Sequence, residues 1–517
     1  MSQSPQFLRA GSVQVRYENG FLRYLTTDDA EIVRMIYFAI RDHNWSTATL
    51  TISDEEIHQI GDSFQVAYTW QTDDLGIQMT GHVRIQGDAD GTIAFDFTGK
   101  ALNAFQKNRI GICVLHPIDG ILGQPAQVVA PDGTITDGYF PTFISPHQPF
   151  LNIQTLRWKP TSGSSWLLDF SGDVFETEDQ RNWTDASFKT YSTPLTIPFP
   201  ATVSTGDEFR QRVVFRKAIS ELTVPIAEKE VQAINPAVIR TEPTQPRIGV
   251  GQWAGGPPLT DDEARLLRQL DLSHLRADVF FSLPNWQTLL TAAIADARRL
   301  AVPLELAVFF GEDPADELDR LQNFLGAQLS LVSSLLLFDA ATLTTSDELL
   351  HTLVPVIRSQ WPGVTIGGGT DDNFAEFNRN PFDVELIDFV TYSVNPQAHA
   401  GDDLTLWENI AGQTETVLTA KKLARGKPVH ISPVTLRPRY TTVTNTTTER
   451  LNSPADLRQT NEFGADWTHQ SLNALANAGV ESVTYYQSHG PAGLVTGTTA
   501  YPLFSVFEEY RKVGRED

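Results

Sequence analysis

Apolar and polar residues alternate with a period of two over the first part of the chain. VQVRYENGFLRYL (Val13–Leu25) shows the pattern, and Asn19-Gly20 in its middle is the dipeptide that a tight hairpin turn favours. SFQVAYTWQT, GIQMTGHVRIQG and GTIAFDFTGKAL repeat it, with Gly and Asp between them, and WLLDFSGDVFET and FRQRVVFRKAI continue it. Many short strands with Gly/Asp turns predict an antiparallel β-sandwich over residues 1–220. From Ile219 to Gln245 the text turns Pro-punctuated (INPAV, RTEPTQPR), which reads as a linker over 221–245.

After Pro246 apolar strands alternate with helical segments. RIGVGQ is the first strand, and Thr260 with Glu263 forms a capping box ahead of ARLLRQL. HLRADVFF precedes a helix around Trp286–Leu300, and PLELAVFF one around Ala315–Phe324. VSSLLLFDAA precedes a second capping box, Thr345 with Glu348. VTIGGGTDD and FVTYSVNPQ follow, then a helix around Thr414–Ala424. KPVHISPVTL leads to Ser453-Pro454, an N-cap with Pro at the first helical position, and a helix to Ala478. ESVTYYQSHG is the eighth strand and YPLFSVFEEYRKV the eighth helix. Eight such units predict a (β/α)8 TIM barrel over 246–517, so the fold class is multidomain β plus α/β.

In TIM barrels the reacting groups sit at the C-terminal ends of the strands. Read in order, those ends carry Gln252 and Trp253; Arg276 and Asp278; Glu312 and Asp313; and Asp339. The second half adds Asp371, Asp372, Glu376 and Asn378; Asn395, Gln397 and His399; Arg437 and Arg439; and Gln487 and His489. A retaining glycosidase needs two carboxylates about 5–5.5 Å apart. Strand four ends FDAA and strand seven SPVTLRPR, with no Glu at either end, so that chemistry lacks its parts.

Composition narrows the remaining classes. A net charge of -24 and a pI near 4.8 argue against general binding to nucleic acid or to an anionic membrane. Cys113 is the only cysteine, which excludes an intrachain disulfide and a cysteine zinc cluster. No signal peptide is apparent, and no stretch reaches roughly 18 consecutive apolar residues, so a cytoplasmic protein is expected. The oligomeric state is not legible.

FETEDQRNWTDASFKTY (Phe175–Tyr191) packs charges of both signs among four aromatics, a density that calls for ion pairing or a ligand. Together with KNRIGICVLHP (Lys107–Pro117) and GGGTDDNFAEFNRNP (Gly367–Pro381), it resembles the bacterial D-apionate lactonase family over nearly the whole chain. The resemblance implies a hydrolase that opens the lactone of a branched sugar acid, D-apionolactone or similar, and a small-molecule partner. The last strand departs from the family pattern as YYQSHGPAGL, where Gln487 cannot serve as a general base.

Lactone opening needs an activated water, a stabilised carbonyl oxygen and a proton for the departing alkoxide. Asp371 or Asp372 fits the base, Arg437 the carbonyl, and His399 or His489 the acid. Trp253, Arg276, Asp278, Asp339, Glu376, Asn395, Gln487 and Arg181 are the candidate substrate contacts. No cofactor is implied. A divalent metal stays open, because His399, His489, Asp371 and Asp339 are suitable ligand types without a metal-binding spacing. Two alternatives stand: a glycosidase-like enzyme with non-standard catalytic residues, and a carbohydrate-binding protein without catalysis.

Overall fold

The computed structural model describes residues 4–222, 243–440 and 454–513. The linker expected over 221–245 falls almost wholly outside them. The chain forms two compact units: Met1–Gln180 with Ala186–Ile234, and Arg181–Asp185 with Asn235–Asp517. The charged, aromatic segment Phe175–Tyr191 is therefore divided, its middle five residues belonging to the second unit.

The first unit is built of two nine-stranded antiparallel sheets. The Asn19-Gly20 turn forms as read, with both residues at positive φ between paired Glu18 and Phe21. Alternation gives each strand one buried face; Ser63–Asp74, for example, buries every second residue from Phe64 through Thr72. Those faces meet in a single core, where Trp70 stacks on Phe97 at 5.6 Å and lies 5.0 Å from Phe38. The Trp70 indole N–H is satisfied by the Thr98 carbonyl at 3.1 Å, so the ring is buried without an orphaned donor.

The second unit is a closed barrel of eight parallel strands. They are Arg247–Gly251, His274–Phe280, Leu304–Phe310, Val332–Asp339, Thr365–Gly369, Phe389–Val394, Val429–Val434 and Ser482–His489. Closure is made by the first strand pairing with the eighth, Arg247 opposite Ser482. Strands buried on both faces read as apolar runs rather than alternations, and LELAVFF is buried at all seven positions. Two short strands, Gly493–Thr496 and Thr499–Ala500, extend the sheet beyond strand eight. Among the described residues no helix is long and apolar enough to cross a membrane.

The helix starts are mostly those the caps specify. Thr260 and Glu263 make the reciprocal capping box. The second box shifts by one residue: Ser346 caps Asp347–Gln360, while the Thr345 hydroxyl is spent on the Leu337 carbonyl at 2.6 Å. The helix expected from Ser453-Pro454 instead begins at Glu462, capped by Asn461. Pro454 precedes a short 3-10 turn, Leu457–Thr460, capped by Asp456, and Ser453 lies outside the described residues.

Removing the Trp70 ring should test the sandwich core. Trp70→Ala is expected to cost about 3–5 kcal/mol, seen as an earlier urea transition for the first unit with the barrel's transition unchanged.

Candidate active site

Strand two sends alternate residues inward, so His274, Arg276 and Asp278 lie one above the other on the barrel interior. Arg276 is 2% exposed. Its Nε donates to Asp278 at 3.1 Å, one terminal nitrogen donates to Asp371, and the other to the Ser432 carbonyl and hydroxyl. Arg439, beyond strand seven, bridges the same two acids, donating to Asp371 at 2.8 Å and to Asp278. The four groups close a ring of alternating charge, Arg276–Asp371–Arg439–Asp278. Tyr440 adds a hydroxyl donor to the other oxygen of Asp371 at 2.8 Å.

Local backbone chemistry delivers Asp371 to this position. Gly369 has φ 150°, and a Cβ there would meet the Thr391 carbonyl oxygen at 1.8 Å, so the end of strand five admits only glycine. Burial pushes the Asp371 carboxyl up to about 6, against the pull of Arg276 and Arg439. It is still ionised at neutral pH. Burial works against the charge on Arg276 too, but Asp371 and Asp278 outweigh it and raise that pKa above its ordinary value.

A polar column continues beneath the ring. Ser432 donates to Glu305 at 2.6 Å and lies 3.0 Å from the Thr484 hydroxyl, which in turn meets His274 Nε2 at 2.8 Å. Burial lowers His274, leaving it neutral at pH 7. Each member of the column is thus hydrogen-bonded, as a buried polar network requires.

Above the ring lies a cavity of about 120 Å³, space for roughly eight water-sized spheres. Arg276, Asp278 and Arg439 form its floor; Arg437, Asp456 and Gln487 stand in its wall, with Leu436 and the prolines beside it supplying apolar surface. Arg437 is the most open of the cations, and among the described residues it pairs with Asp456 alone, at 3.7 Å. Asp456 is held by Arg458 and Gln397. Burial would raise its carboxyl, but those hydrogen bonds win and keep it well below the ordinary range.

The remaining candidates do not line this cavity. Asp372 is largely buried, and one of its oxygens takes both the backbone and side-chain N–H of Asn373, each at 2.8 Å. Its other oxygen has no partner among the described residues, and no cation adjoins it. Burial, with Glu376 and Asp371 adding to it, pushes the group up to about 6. Asn395 bridges to Asn373 at 3.2 Å, and Glu376 lies on the short helix Phe374–Arg379.

His399 places Nδ1 2.6 Å from Asp185, whose second oxygen accepts from Asn409 at 3.1 Å. The ring packs edge-on to Trp183, and Nε2 has no partner among the described residues. His489 is committed at both nitrogens, to Ser488 at 2.9 Å and to the Pro257 carbonyl at 2.9 Å, with Trp253 edge-on to its ring. Asp339 closes its own turn, accepting from the Ala341 and Thr342 amides at 2.9 Å. Arg181 is fully buried and pairs with Glu415 at 2.9 Å. Among the described residues no three His, Cys, Asp or Glu side chains cluster as a metal site.

Sequence reasoning gave Arg439 no role beyond a place on the rim, counted Asp185 only among the charges of the segment Phe175–Tyr191, and passed over Tyr440 and Asp456. Arg439 and Tyr440 follow Arg437 in LRPRY, a density of donors at a strand end that is itself a signal. Asp456 sits in a loop with no motif around it, and nothing in the text marks it.

A sandwich followed by a TIM barrel with a charged, hydrogen-bonded mouth defines a barrel enzyme. Comparison with known proteins gives the family. Residues 1–219 match the model of the D-apionate lactonase N-terminal domain, and residues 248–514 that of the D-apionate lactonase TIM barrel domain. The chain belongs to the D-apionate lactonase family and is a lactone hydrolase of the carboxylic-ester class. It is 28% identical to the D-apionate lactonase of Brucella anthropi, over 95% of this chain and 84% of that one. Among solved structures, a β-glucuronidase from Ruminococcus gnavus aligns at TM-score 0.36 and 9% identity, over 90% of this chain and 68% of its own. A β-arabinopyranosidase aligns at TM-score 0.30 and 9% identity, over 80% and 75%.

The charge ring yields a direct test. Asp371→Asn leaves the buried Arg276 and the half-buried Arg439 sharing one carboxylate, and should cost about 3–5 kcal/mol, read as a lowered melting temperature. Combined with Arg439→Met the loss should be smaller than the sum of the two single changes, because they break the same contact.

Proposed function

We propose that this chain opens the 1,4-lactone of a sugar acid, D-apionolactone or a close relative, by attack of water on the carbonyl. The observation that carries this reading is the Asp372 carboxylate. It is largely buried, has a pKa raised to about 6, and among the described residues has no neighbouring cation and one oxygen without a partner. A general base works best when its pKa lies near the working pH and its oxygen is uncommitted. Asp371, enclosed by two guanidiniums and a phenol, lacks that freedom and instead anchors the arginines.

In this mechanism the lactone extends out of the cavity toward the strand ends that carry Asp372 and His399, and Asp372 takes a proton from water as the new C–O bond forms. Arg437, the least neutralised cation of the cavity, stabilises the carbonyl oxygen as it gains charge. The ring C–O bond then breaks, and the alkoxide takes a proton from Nε2 of His399, which enters the step as the imidazolium because Nδ1 keeps its own proton for Asp185. Asp185 at Nδ1 supports that role, since an acceptor on one ring nitrogen fixes the orientation of the other. The name of the Brucella anthropi relative supports the substrate class.

The test is hydrolysis of D-apionolactone and other aldonolactones, followed by acid release, with aryl glycosides as the contrast. Lactones should be opened and glycosides left intact; the reverse would sink the proposal. Asp372→Asn and His399→Ala should each lower turnover by roughly two to four powers of ten with melting unchanged. Because the base acts ionised, kcat/KM should fall about tenfold per unit below pH 6; a flat profile from pH 7 to 4 would remove Asp372 from the role.

A further inference from the structure

Strand eight carries a feature that lactone opening does not use. Between Val250 and Gly251 the pairing of strands one and eight shifts by a residue, so that Val250 faces Tyr485 and Gly251 faces Gln487. The extra residue is Tyr486, held at φ 50°, a left-handed conformation that a bulky side chain adopts only at a cost. Its carbonyl leaves so little room that a Cβ on Gly251 would lie 2.8 Å from the oxygen. The Tyr486 phenol is tied down by Thr468 at 2.8 Å, which fixes the bulge in place. A bulge of this kind re-aims the side chain that follows it, and here that side chain is Gln487, in the cavity wall.

The Gln487 backbone is satisfied, its N–H bonded to the Ala492 carbonyl at 3.0 Å. Its side-chain amide is not: among the described residues Oε1, which is buried, has no partner and neither has the amide nitrogen. Other amides around the mouth are bonded within the protein. Gln397 donates to Leu436 and Asp456, and Gln459 to the Ala492 carbonyl. An amide is at once donor and acceptor, and rotation about its last bond exchanges the two ends. The partner that matches such a group is a hydroxyl, which also donates and accepts. A carboxylate could use only the nitrogen, and an apolar group neither end.

We infer that Gln487 is a specificity-determining residue that hydrogen-bonds a ring hydroxyl of the lactone, selecting hydroxylated lactones over unsubstituted ones. The inference rests on the lactonase reading above. A polar group left unpaired by the wrong ligand discriminates far more strongly than apolar contact does.

The test compares kcat/KM for 2,3-dihydroxy-γ-butyrolactone and γ-butyrolactone in the parent, in Gln487→Met and in Gln487→Asn. Met keeps the length and removes both polar atoms; Asn keeps the amide and withdraws it by one methylene. The parent should prefer the dihydroxy lactone, and the preference should fall at least tenfold in Gln487→Met and by a smaller factor in Gln487→Asn. Melting temperatures separate this effect from misfolding, and either variant alone suffices if the other fails to fold. A parent that opens both lactones, with a preference unchanged within twofold in the folded variants, overturns this inference and leaves the lactonase reading standing. A parent that opens neither lactone nor D-apionolactone overturns that reading, and this inference with it.

Discussion

The ring Arg276–Asp371–Arg439–Asp278 is the interaction on which the barrel mouth depends. Two guanidiniums and two carboxylates are taken out of water together, and each cation serves both anions. Removing charges from water costs several kcal/mol apiece, so the arrangement holds only if the geometry is met at all four members. Those members come from strand two, the end of strand five and the segment after strand seven. The ring thus fixes the relative position of three parts of the barrel that are far apart in sequence. It also explains why the column beneath is so fully bonded: Arg276 reaches down to Ser432, and Ser432 is shared with Glu305 and Thr484.

That division of labour separates structural acids from chemical ones. Asp371 and Asp372 are neighbours in sequence and share a pKa near 6, yet their surroundings differ. One is saturated by cations and a phenol; the other, among the described residues, accepts only from an asparagine. Adjacent residues on an irregular strand end point in different directions, and direction decides whether a carboxylate anchors or remains free to meet a ligand.

The architecture was legible because it rests on local patterns. Period-two alternation marks strands with one buried face, apolar runs between capped helices mark barrel strands, and Asn19-Gly20 and Thr260/Glu263 behaved as their chemistry dictates. The second box slipped to Ser346 because the Thr345 hydroxyl found a better acceptor in Leu337, a tertiary fact that no window of sequence contains. The helix start at Asn461 rather than Ser453 has the same origin: Asp456 and its arginine hold the preceding residues in a turn. At the site, the barrel rule located Arg276, Asp278, Asp371 and Arg437 by strand end. It could not say that His489 has both nitrogens committed, nor that Asp185, more than two hundred residues away in sequence, faces His399.

The internal neutrality of the charge ring matters beyond packing. The chain as a whole carries -24, whereas the ring beneath the cavity pairs two arginines with two aspartates. A neutral ester meets no field that opposes its entry into such a recess. Ring opening turns it into an anion, and the same molecule then sits within an acidic body whose potential extends about one Debye length, ~8 Å at physiological salt. Substrate and product therefore experience different long-range forces from one fixed set of charges. At long range the surface acidity repels such an anion, while Arg437 in the cavity wall attracts it.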